Sequence, residues 1–111
     1  MQINTRNVEE VIIVDIHGEI DLYNSPKIKE FIMGKMNEGY KKFIVNLDSV
    51  TYIDSSGIGT LIFCRTTLNQ NNGSLKIMKI HDSVKRIFEL TKLNTFFSVY
   101  DTEEDALKSF K

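Results

Sequence analysis

Strand-length and helix-length segments alternate along most of this chain, and few architectures accommodate that order. Val11 to Ile16 reads Val-Ile-Ile-Val-Asp-Ile and closes at Gly18, a β-branched run with a turn signal after it. A weaker strand, Gln2 to Asn7, precedes it across the turn Val8-Glu9-Glu10, so the chain opens as a hairpin. Ser25-Pro26 then starts a helix, with Ser as cap and Pro at the first helical position. Its stripe of Ile28, Phe31, Ile32 and Met36 runs to a stop at Gly39. Lys42 to Leu47 is nearly unbroken apolar sequence, the mark of a central strand covered on both faces. Asp54 or Ser55 caps a second helix carrying Ile58, Leu61, Ile62, Arg65 and Leu68, which ends at Asn71-Asn72-Gly73. A strand from Leu75 to Ile80 follows, then a third helix capped by Asp82 or Ser83 with Val84, Ile87, Phe88 and Thr91 on one side. Phe96 to Tyr100 reads as a last strand, and Thr102 with Asp105 resembles a capping box opening a short final helix with Leu107 and Phe110. The order β-β-α-β-α-β-α-β-α predicts one α/β domain over residues 1–111, a mixed, mostly parallel β-sheet with an N-terminal hairpin and four helices packed on it.

Composition narrows the partners. Fourteen basic against fifteen acidic residues leave a net charge of -1, without the clustered positive field that nucleic acid or an anionic membrane requires, so neither is expected as a partner. The start, Met1-Gln2-Ile3-Asn4-Thr5-Arg6, lacks the apolar core of a signal peptide, and no apolar run approaches the ~20 residues that span a bilayer. A cytoplasmic protein is expected. The single cysteine, Cys64, has no second cysteine for a disulfide or a zinc-site spacing and reads as a small apolar residue on a helix.

Few residues have the spacing of catalytic machinery, and no cofactor or enzymatic activity is expected. The two histidines, His17 and His81, lie before a turn and before the third helix, with no evident orienting partner. The stretch Ile53-Asp54-Ser55-Ser56-Gly57-Ile58-Gly59 is not a G-x-S-x-G elbow, and Gly57-Ile58-Gly59 has neither the length nor the lysine of a P-loop. A receiver domain phosphorylated on aspartate would need carboxylates clustered at strand ends around a cation. Asp48 follows the central strand, but the strand from Val11 ends in His17-Gly18 instead of an acidic pair. The remaining candidate is Asp54 to Leu61. Two serines and a glycine in the first turn of a helix place hydroxyls and free N–H groups where the dipole favours negative charge, so a phosphate can be carried there. The same residues also make an ordinary helix cap.

With these elements in place, Gly18-Glu19-Ile20-Asp21, Asn46-Leu47 leading to Val50-Thr51-Tyr52-Ile53, and Asp54-Ser55-Ser56-Gly57-Ile58-Gly59-Thr60-Leu61 together resemble the STAS domain. Gly73-Ser74-Leu75 and Val84 to Thr91 extend the likeness over the whole chain, which resembles specifically the stand-alone anti-sigma-factor antagonists. The resemblance implies that the unphosphorylated chain binds an anti-sigma factor that is also a serine kinase, freeing the sigma factor for transcription. It implies phosphorylation on the serine directly after the motif aspartate, here Ser55, with Ser56 the less favoured neighbour, and removal by a PP2C-type phosphatase. Asp21 matches a family residue near that serine concerned with kinase binding. Asp21, Asp54, Ser55, Ser56 and Gly57 are therefore the expected partner-binding residues. The other role the family offers is a STAS scaffold in a transport or sensory complex, without serine phosphorylation.

Overall fold

The hairpin is joined by Glu9-Glu10, where Glu9 takes a left-handed φ of 58°. It sets the first two of ten elements in a computed structural model that describes residues 1–111. These are β1 (Gln2–Val8), β2 (Val11–Ile20), α1 (Ser25–Asn37), β3 (Lys42–Ile53), α2 (Ser55–Gln70), β4 (Ser74–Met78), α3 (Asp82–Leu90), α4 (Leu93–Phe96), β5 (Val99–Tyr100) and α5 (Glu103–Lys108). The strands form one sheet in the order β1-β2-β3-β4-β5, antiparallel between β1 and β2 and parallel elsewhere. The expected mixed sheet with an N-terminal hairpin is what forms.

Alternation along the strands divides the apolar residues between two faces. Ile12, Val14 and Ile16 of β2 and Phe43, Val45 and Leu47 of β3 join Ile28, Ile32, Leu61, Leu68, Val84 and Phe88 in a buried cluster of 20 residues. On the other face Val11, Ile13, Ile44 and Met78 pack with Ala106 of α5. That division explains the unbroken apolar run of β3: both of its sides are covered. Beyond α5 the second face turns polar. Arg6 grips Asp15 through Nε and Nη2 at 2.6 and 3.0 Å and reaches Glu103 at 2.8 Å, while Asn46 donates to Asp15 at 2.7 Å. The Arg6 guanidinium holds the Asp15 carboxyl below its ordinary pKa.

Several boundaries differ from the sequence expectation. β2 does not stop at Gly18: with φ 101° there, it continues to Ile20 by pairing with an equally prolonged β3, through register shifts between Asp15 and His17 and between Gly18 and Glu19. The expected strand from Phe96 shrinks to Val99–Tyr100, and a fifth helix, α4, takes Leu93–Phe96. Phe97 is the reason. It is buried 5.9 Å from Phe88, with Phe96 edge-on to it at 5.0 Å, and a helical turn brings both rings to that corner. Asn24, not Ser25, occupies the cap position of α1, and Ser25 is buried as its first residue. His81, not Asp82 or Ser83, precedes α3 as its cap residue. β4 spans Ser74–Met78, two residues short of Ile80.

Cys64 is fully buried in the large cluster, and burial pushes its thiol up to about 12. Thiolate, the reactive form, is then scarce at neutral pH. Under native conditions iodoacetamide at pH 8 is expected to leave Cys64 unmodified, and full labelling should appear only in denaturant, as read by intact-mass spectrometry.

Candidate functional site

Ile20 and Ile53 are register partners at the ends of β2 and β3, so the segments leaving these strands lie side by side. Asp54 ties them together. Its N–H donates to the Ile20 carbonyl at 3.1 Å. Its backbone is extended, with φ -99° and ψ -178°, as expected of a residue that caps a helix from outside. Its carboxylate serves both segments: Oδ1 accepts from the Gly57 N–H at 3.0 Å, capping α2, and Oδ2 accepts from the Leu22 N–H at 3.1 Å. Of the two cap candidates, Asp54 performs the task, and Ser55 becomes the first residue of α2.

Ser55 is exposed, Ser56 half-buried and Gly57 buried. Gly57 is a glycine for a packing reason: a Cβ there would stand 2.6 Å from Ile20 Cγ2 and 2.8 Å from Ile53 Cγ1. The first turn of α2 contains no acidic or basic side chain, so the Asp54 carboxylate at the cap is the one charged group of the chain bonded to this positive helix end, beside the Ser55 hydroxyl.

The segment after β2 is bonded within itself. Asp21 Oδ1 accepts from the N–H groups of Tyr23 and Asn24 at 2.9 and 3.1 Å. Asn24 Oδ1 accepts from the Asp21 N–H, and Asn24 Nδ2 donates to the Glu19 carbonyl, both at 2.8 Å. The Asp21 carboxylate is thus engaged with its own loop, and its connection to Ser55 runs through Leu22 and Asp54. Leu22 and Tyr23, which sequence reasoning did not single out, stand exposed on this loop. The available signal was two large apolar side chains in a turn, outside any strand or helix periodicity.

The alternatives to this site have geometry of their own. His17 is exposed on β2. His81 does have orienting partners, contrary to expectation: Nε2 meets the Asp48 main-chain oxygen and Nδ1 the Asp82 carboxylate at 2.7 Å. Both contacts are acceptors, so the imidazolium is favoured, and the Asp48 carbonyl, followed by Asp82, raises the His81 pKa. A ring occupied at both nitrogens is poorly placed to accept a proton from a nucleophile. No three His, Cys, Asp or Glu side chains are grouped to hold a metal, and no helix is long and apolar enough to cross a membrane. The surface hollows lie along the outside of α1, at Lys27, Phe31 and Gly34, and beside Glu9, Tyr40 and Lys42, with neither lined by Ser55. An open surface of this kind suits a macromolecule better than a small ligand.

The family model described as the STAS domain matches residues 2–106. The anti-sigma-B factor antagonist of Staphylococcus aureus is 32% identical over 104 residues, covering 94% of this chain and 96% of that protein. Among solved structures, an anti-sigma factor antagonist from Mycobacterium paratuberculosis superposes with a TM-score of 0.87 at 23% identity, covering 97% of this chain and 92% of that one. The Bacillus cell fate determinant SpoIIAA in its phosphorylated form gives a TM-score of 0.77 at 20% identity, over 99% of this chain and 100% of that one.

Proposed function

The chain belongs to the STAS domain family, and from that premise we propose that it is a cytoplasmic anti-sigma factor antagonist switched by phosphorylation of Ser55, and not itself an enzyme. Unmodified, it binds an anti-sigma factor that is also a serine kinase and so releases the sigma factor. Phosphorylated, it lets go, and a PP2C-type phosphatase restores it. The observation that carries this reading is the division of labour at the start of α2: Asp54 caps the helix, leaving the exposed Ser55 hydroxyl at a positive helix end.

In the transfer, Ser55 Oγ forms its bond to the γ-phosphorus of ATP as the bond to ADP breaks, and the hydroxyl proton passes to the kinase. The product carries about -1.5 to -2 charge at pH 7. The α2 dipole offsets part of its repulsion with Asp54, so the fold tolerates the group. The kinase surface does not, because the new phosphate faces the remaining phosphates of the nucleotide.

Mixing the chain with the purified anti-sigma factor of its own organism tests this. Without nucleotide a complex is expected by size exclusion; with ATP it should dissociate as one phosphate appears on Ser55 by mass spectrometry. Label on another residue refutes the site. A stable complex that takes no phosphate favours a scaffold role.

A further inference from the structure

Two of the three most exposed large hydrophobic side chains sit together on a tightly bonded loop: Tyr23 is 91% exposed and Leu22 62%. Their exposure does not come from a loose backbone. Leu22 N–H is held by Asp54, Tyr23 and Asn24 N–H by Asp21, and the Asn24 side chain by the Glu19 carbonyl. Nor is either needed inside, since Ile20 before them and Ile28 after them are fully buried in the core. An exposed tyrosine on a fixed backbone has only its own side-chain torsions to lose when a partner covers it, and tyrosine is among the residue types that carry most of the energy of interfaces.

Charge defines what would cover the pair. Glu19 and Asp21 precede them in the chain and Asp54 holds the Leu22 N–H, yet every ion pair of the chain joins other residues. Asp21 and Asp54 accept only backbone N–H bonds, and with no cation paired to them or to Glu19, these carboxylates beside two apolar side chains complement an apolar pocket edged with lysine or arginine. Placement then says which partner. Leu22 N–H bonds to the carboxylate of the residue directly before Ser55, so whatever grips Leu22 and Tyr23 is held at a fixed separation from the Ser55 hydroxyl.

Resting on the reading of the chain as an anti-sigma factor antagonist, we propose that Leu22 and Tyr23 are the anchor by which the anti-sigma factor, through a basic-edged apolar pocket, holds the chain and positions Ser55 for transfer. Leu90 supplies the control, for it is 77% exposed but stands at the end of α3.

The full chain carrying Leu22→Ser, Tyr23→Ser, Tyr23→Phe or Leu90→Ser is titrated against the anti-sigma factor of the same organism by calorimetry, and phosphotransfer to Ser55 is followed with ATP. All four variants are expected to melt like the wild type. Tyr23→Ser and Leu22→Ser should each raise Kd at least about tenfold and raise KM for the chain in parallel, with kcat little changed, in the manner of lost uniform binding. Tyr23→Phe should restore most of the affinity, and Leu90→Ser should leave it unaltered. Wild-type affinity in both Leu22→Ser and Tyr23→Ser overturns the anchor while the antagonist reading stands. An equal loss in Leu90→Ser overturns it too, as does a wild-type homodimer by sedimentation that Tyr23→Ser dissolves. A wild-type chain that binds no anti-sigma factor overturns the functional reading itself, and the anchor with it.

Discussion

Ser55→Asp is expected to weaken the complex with the anti-sigma factor by about 2–4 kcal/mol, on the order of 30- to 1,000-fold in Kd. Ser55→Ala should bind as the unmodified chain does, and continue to bind in the presence of ATP. The argument rests on position. Ser55 is exposed and opens α2, whose first turn has no charged side chain. An aspartate there is welcome to the fold, because a carboxylate at a helix N-terminus contributes about 0.3–1 kcal/mol. Under the proposed function it is unwelcome to a kinase whose nucleotide phosphates would approach the same atom. The melting temperature should therefore stay level or rise while affinity falls. A joint loss of affinity and thermal stability would mean that the substitution acted by unfolding the helix start. Calorimetric titration with parallel melting curves separates the two.

Gly57→Ala is expected to do the reverse, costing stability of the fold. A Cβ at 2.6 Å from Ile20 Cγ2 and 2.8 Å from Ile53 Cγ1 collides with two side chains that are themselves buried in the core. Overpacking of a filled core costs about 1–3 kcal/mol, and for a domain of this size the melting point should fall by roughly 5–15 °C. Gly57→Val adds two more carbons to the same collision and should prevent stable folding. Gly59, two residues on, makes the comparison clean: nothing lies within 4 Å of a Cβ built there. Gly59→Ala should leave stability unchanged or raise it by up to about 1 kcal/mol, the helix preference for alanine. Equal melting points for Gly57→Ala and wild type would show that the ends of β2 and β3 yield easily.

Gly57 also marks where sequence reasoning stops. The apolar stripe of α2, with Leu61 and Leu68 in the core, follows from a period of 3.6 and can be read by counting. That Gly57 must have no side chain depends on Ile20 and Ile53 meeting above it, which requires a parallel register with two irregularities along β2. Local turn chemistry suggested that Gly18 ends the strand. Pairing with residues 49–53 of β3 outweighed it. The short apolar run Phe96–Tyr100 reads as a strand by local pattern, but the contact of Phe97 with Phe88 draws its start into a helical turn and leaves only Val99–Tyr100 in the sheet. The site divides in the same way. Asp54, Ser55 and Ser56 announce a helix start within four letters, whereas the bond from Leu22 to Asp54 joins residues 32 apart in the chain. Such a contact becomes visible only once the sheet has brought two loops together.

The Asp54 carboxylate has a final consequence, in time. By holding α2 and the Asp21–Asn24 loop as one body, it leaves no segment to be ordered before the partner can engage. A surface that must first rearrange associates slowly, whereas one already in its bound form associates at rates limited by docking orientation, about 10⁵–10⁷ M⁻¹s⁻¹. Under the proposed function, the delay between a signal and its transcriptional effect would be set by the kinase and the phosphatase, with this small domain adding none of its own.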